Sequence, residues 1–104
     1  MPEVHVQIIE FLSSDQPGFV AATLTDVDGV VHTFHDKVPV FTNALIDAET
    51  RLPLPGLLDC TVLESLERDG REIIRIDTEN PFGVESTTGN YRFLIAAESL
   101  TRIS

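Results

Sequence analysis

The chain has 104 residues, enough for one domain spanning 1–104 with its own core and no need of a metal or disulfide to hold it. Seventeen acids face seven bases, a net charge of −10, and such a field repels phosphate backbones and acidic membrane surfaces. No apolar run approaches the ~20 residues of a membrane-spanning helix, the single cysteine, Cys60, excludes an internal disulfide, and the start is not a basic segment followed by an apolar one. A cytoplasmic domain that binds neither nucleic acid nor membrane is therefore expected.

The dominant period along the chain is two, which predicts strands. "VHVQIIEFL" (4–12) is the first, rich in β-branched residues. "SSDQPG" (13–18) is a turn cluster broken by Pro17 and Gly18. "FVAATLTDV" (19–27) and "VVHTFH" (30–35) flank Asp28-Gly29. Asp-Gly between apolar runs predicts a two-residue type I′ hairpin, because both central residues must take positive φ. Residues whose numbers sum to 57 then lie opposite, so that Thr25 faces His32 and Thr23 faces Phe34. Phe19, Val27, Val30 and Phe34 fall on one face, and Val20, Leu24 and Val31 on the other.

The segment 36–56 follows. "TNALIDAETR" admits a short helix capped by Thr42 or Asn43, or an ordered loop. "LPLPG" (52–56) predicts an extended, polyproline-like exit. "LLDCTVLESLER" (57–68) and "REIIRIDTE" (71–79) then meet across Asp69-Gly70 in a second hairpin. Here opposite residues sum to 139. Leu63 faces Ile76, Ser65 faces Ile74, and Glu64 faces Arg75 in an opposite-charge pair worth about 0.2–1 kcal/mol. The turn-rich "NPFGVESTTGN" (80–90) leads to a last strand, "YRFLIAAES" (91–99).

Three strands, a short helix or loop, and three strands predict an all-β fold. Closure would hide the strand edges, so a six-stranded antiparallel barrel is expected. The order is similar to that of an OB-like or SH3-like barrel, a likeness of topology that carries no motif and implies no function.

Candidate chemistry is sparse. "HTFHDK" (32–37) concentrates His32, His35, Asp36 and the only lysine, Lys37. His-x-x-His holds a metal on a helix, where residues three apart are neighbours, but on a strand the two point to opposite sides. Zinc also needs three or four ligands, and no spacing supplies the rest. "DVDG" (26–29) fails the calcium-loop template, which would place Leu24 and His35 at ligand positions. "ESTTG" (85–89) precedes a strand rather than a helix and reads as a turn. Cys60 falls opposite Glu79, which discourages a thiolate. No catalytic residue, metal or cofactor is assigned.

His32, His35, Asp36 and Lys37, with the neighbouring 42–52 segment, are the expected binding surface, since loops on rigid barrels commonly carry binding. The expected function is noncatalytic: an acidic β-module that binds a protein partner or itself. The alternatives are a metal-dependent or ligand-binding enzyme using His32, His35 and Asp36, and an acidic inhibitor that neutralises a basic enzyme.

Overall fold

The computed structural model describes residues 1–15 and 18–101. Of the turn expected at 13–18, Gln16 and Pro17 lie outside the described residues.

The strands are β1 (Glu3–Ser13), β2 (Phe19–Thr25), β3 (Val31–Lys37), β4 (Leu54–Asp59), β5 (Thr61–Arg68), β6 (Arg71–Asp77), β7 (Arg92–Ala96) and β8 (Leu100–Thr101). A four-residue helix, α1 (Val38–Phe41), follows β3, and a 3-10 turn (Ala97–Ser99) precedes β8. The fold is all-β, as expected, but the six-stranded barrel does not close. The strands form two antiparallel sheets. One has the order β3-β2-β1-β4, with β8 also on β1; the other has the order β5-β6-β7.

Two features keep the barrel open. The strand expected at 57–68 divides at Cys60. Before it, β4 pairs with β1 from Glu3↔Asp59 to Ile8↔Leu54; after it, β5 pairs with β6. Cys60 is fully buried at this crossing, and its N–H donates to the Pro2 carbonyl over 3.0 Å. The second feature lies between the edge strands β3 and β7, where turns intervene instead of a ladder. The Thr87 N–H donates to the Thr33 carbonyl over 2.8 Å, and the Val27 N–H to the Leu94 carbonyl over 2.9 Å.

Alternation along the strands builds the core between the sheets. Val4, Val6 and Ile8 of β1, Val20, Ala22 and Leu24 of β2, Phe34 and Leu58 meet Ile74, Ile76, Phe93 and Ile95 of the second sheet in one cluster. Each large side chain withdrawn from water there contributes about 1.5–3 kcal/mol.

The Asp69-Gly70 hairpin forms as its sequence dictates. Asp69 (φ 54°) and Gly70 (φ 77°) both take the left-handed region, and Ser65↔Ile74 and Glu64↔Arg75 are partners. The Glu64 carboxylate accepts from Arg75 Nε over 2.7 Å. A bulge between Val62 and Glu64 displaces the expected Leu63–Ile76 pair, and Ile76 faces Val62 instead. The same shift removes the expected Cys60–Glu79 pairing.

The first hairpin differs from its prediction. Gly29 (φ 80°) takes positive φ but Asp28 does not. The Asp26 N–H donates to the Val30 carbonyl, closing a loop of Val27, Asp28 and Gly29. This is the three-residue hairpin with glycine at the left-handed position. Opposite residues therefore sum to 56, and His32 faces Leu24 while Phe34 faces Ala22. The expected faces change accordingly. Phe34 shares the core side with Val20, Ala22 and Leu24, while Val30 and Val31 stand exposed.

The helix lies at 38–41 and not at 42–51. Pro39 in its first turn costs no hydrogen bond, and Val38 and Phe41, three apart, are buried together. Beyond it, side chains bond their own backbone. The Thr42 hydroxyl accepts from the Ala44 N–H, and the Asp47 carboxylate from the Glu49 N–H. Such local bonds compete with a helix. "LPLPG" corrects in the same way: its second half is the start of β4, an edge strand, where a proline is tolerated.

Candidate functional site

The expected binding residues do not gather at one place. His32 and His35 occupy opposite faces of β3. His32 lies on the core side, partly buried, and His35 is exposed. The Asp36 carboxylate accepts from the Lys37 N–H over 2.7 Å, and Lys37 is exposed at the start of α1. Among the described residues, no three histidine, cysteine, aspartate or glutamate side chains stand close enough to share a metal ion.

His32 instead belongs to a local construction. Its Nε2 lies 2.8 Å from Asp26 Oδ2, and its ring packs against Phe93 with centroids 4.8 Å apart. Asp26 Oδ1 accepts from the N–H groups of Asp28 and Val30, over 2.9 and 3.0 Å. One carboxylate thus fixes the hairpin loop and ties it to β3. Among the described residues no hydroxyl or thiol bonds to this pair, and the arrangement positions a loop. Burial alone would raise the Asp26 carboxyl, but the hydrogen bonds from His32, Val30 and Asp28 prevail and hold it below its ordinary value of 3.8.

A group whose folded pKa is depressed contributes stability above its unfolded pKa and loses it as pH falls through the folded value. Urea unfolding of the native chain is therefore expected to lose this contribution on acidification below about pH 4. An Asp26→Asn variant costs about 1 kcal/mol at neutral pH and converges on the native chain in acid. A difference between the two chains that stays constant from neutral pH down to acid would contradict this role.

Cys60 is inert by placement. Burial, then the charges of Asp59 and Glu3, push its thiol up to about 11, and the ionised form needed for nucleophilic work is scarce. The "ESTTG" segment is a turn, as its residues suggest. The Ser86 N–H donates to the Asn90 carbonyl, and the Asn90 N–H to the Ser86 hydroxyl.

A concave surface lies elsewhere. A groove of about 720 Å³ runs beside β4. Pro55, Gly56, Leu57 and Asp59 of β4 and Glu3 and His5 of β1 form one side. Residues 39–44, leaving α1, and Phe82 from the loop after β6 complete it. The β1–β4 ladder places Glu3 opposite Asp59 and His5 opposite Leu57, so these four share the outward face. His5 Nε2 lies 3.0 Å from the Thr101 hydroxyl. Gly56 lets the α1 end sit close, since a β-carbon there would stand 2.9 Å from the Phe41 carbonyl oxygen. Phe82 is 54% exposed, and Leu45, next in the chain after Ala44, is 98% exposed.

The expected binding surface touches this groove only at its loop, through residues 42–44. Glu3 and His5 lie outside the expected surface, although their signal is visible: in "EVHVQ" they are the outward polar positions of an alternating strand. What they face depends on pairing with a strand some fifty residues away, which local pattern does not encode. No family model, curated protein or solved structure matches this chain.

Proposed function

We propose that the chain is a noncatalytic binding module that engages a protein partner in the groove beside β4. The observation that carries this reading is the groove itself: a concavity lined as much by polar side chains, Glu3, His5 and Asp59 among them, as by apolar Phe82, Val40 and Leu57, next to a strand at the end of its sheet. Exposed aromatic and aliphatic side chains at a concave site are the usual anchors of a protein interface. The buried, inert cysteine and the purely structural His32–Asp26 pair add no reactive group. A cytoplasmic setting belongs to the same reading and is supported by the single, unpaired cysteine.

Selection of peptides from a random display library tests it. Binders to the native chain are expected to weaken about tenfold or more against Phe82→Asp, which removes an anchor from an exposed position. No enrichment on the native chain, or equal binding to the variant, would overturn the reading.

A further inference from the structure

We propose that the occupant of the groove is an extended, lysine- or arginine-bearing segment of a partner protein, which adds to β4 as a further strand. This rests on the groove being the binding surface.

The first support is the hydrogen-bonding state of β4. Opposite residues in an antiparallel ladder alternate between exchanging both backbone bonds and exchanging none. Pro55 has no N–H and lies opposite Gln7, so it occupies a position whose carbonyl turns away from β1. The Cys60 N–H donates to the Pro2 carbonyl, which sets the even-numbered positions on the β1 side. Leu54, Gly56 and Leu58 therefore bond to β1, while Pro55, Leu57 and Asp59 direct their backbone groups outward. Among the described residues these groups have no backbone partner. The open edge offers the N–H groups of Leu57 and Asp59 and the carbonyls of Pro55, Leu57 and Asp59 to a strand of about five residues.

The second support is that other edges are occupied or blunted. β3 is met by Ser86 and Thr87, and β7 by Val27. The outer strand β5 carries exposed Glu64, Glu67 and Arg68, charges of the kind that discourage edge pairing. Among the described residues, only beside β4 does an edge run along a groove with an exposed aromatic ring.

The third support is charge. Glu3 and Asp59 line the groove, and among the described residues no lysine or arginine does. A second copy of this chain would itself carry a net charge of −10. A basic strand is drawn in, and its alternate side chains reach the carboxylates on the outward face. Glu3 and Asp59 thus disfavour pairing with a second acidic copy and favour a basic partner.

The test uses the full chain and a short synthetic peptide alternating lysine with valine and threonine. Its companions are a glutamate-for-lysine analogue and two versions N-methylated on alternate residues in opposite phase. Binding is followed by titration, and amide hydrogen exchange is read residue by residue. The lysine peptide is expected to bind and to slow exchange at Leu57 and Asp59. The glutamate analogue should bind about tenfold weaker or worse, and one N-methyl phase should abolish binding. Affinity should fall as salt rises from about 0.1 M to about 1 M, which shortens the screening length from about 10 Å to about 3 Å.

Binding that leaves the Leu57 and Asp59 amides exchanging freely would overturn strand addition while sparing the groove as a binding surface. Equal binding of the glutamate analogue would overturn the charge selection. Dimerisation of the chain alone, with those two amides protected, would make a second copy the occupant and overturn the proposal. Failure of any peptide, of any charge, to bind would take the underlying reading with it.

Discussion

A Phe34→Ala variant is expected to lose about 3–5 kcal/mol of stability in urea unfolding. Phe34 is fully buried and stands where the two sheets meet. Its ring packs edge-on against Phe93 of β7, with centroids 5.6 Å apart and planes at 80°, and its backbone bridges to Ser86. The alanine side chain would leave a cavity at the seam that holds the β5-β6-β7 sheet to the other. Edge-on aromatic packing adds about 0.5–1.5 kcal/mol beyond buried area. In a domain of this size each kcal/mol lowers Tm by about 4–8 °C, so the melting curve registers the loss plainly. Phe82→Ala, at an exposed ring, should change stability by no more than about 0.5 kcal/mol. A loss at Phe34 as small as that at Phe82 would show that the sheets are held together by something else.

Gly56→Val is expected to destabilise the chain by about 2–3 kcal/mol. Intrinsic preference points the other way. Valine favours strands, and replacing a glycine of ordinary φ stabilises by about 0.4–1 kcal/mol through the unfolded chain. The close approach decides the sign. A β-carbon at 56 would lie 2.9 Å from the Phe41 carbonyl oxygen and 3.3 Å from Ile8 Cδ1 and Val6 Cγ2. The first contact is backbone and the others are core, so none can swing aside. Relief requires α1 to lift from β4, which also moves residues 39–44 at the groove. Binding of selected peptides should weaken together with stability. A Gly56→Val chain as stable as the native one would mean that α1 is not seated on β4 as described.

Local signals read well where the turn chemistry was unambiguous. Among the described residues no side chain bonds the Asp69-Gly70 backbone; both residues take positive φ and the register down to Glu64↔Arg75 follows. Asp28-Gly29 misleads by one residue because Asp26 lies two positions ahead. Its carboxylate takes the N–H groups of Asp28 and Val30 and draws the loop out to three residues. A one-residue change in loop length flips which side chains share a face, and that is how Phe34 comes to share the core side with Leu24. Along β1 the alternation puts Val4, Val6 and Ile8 in the core. Nothing local shows that its other edge takes "LPGLLD", or that the chain changes sheets at Cys60.

The groove beside β4 is assembled non-locally. His32 and His35 are close in sequence, yet β3 separates them to opposite faces. Glu3, Asp59 and Phe82 are far apart in sequence and line one groove through the β1–β4 ladder and the loop after β6.

The central claim is the place of binding, and backbone amide shift mapping of the isotopically labelled chain with a selected peptide tests it most directly. Perturbations are expected to cluster at residues 3 and 5, along 39–44 and 56–59, and at Phe82. A cluster centred on 32–37, or on the tip of the β5–β6 hairpin with the β4 amides unmoved, would contradict it.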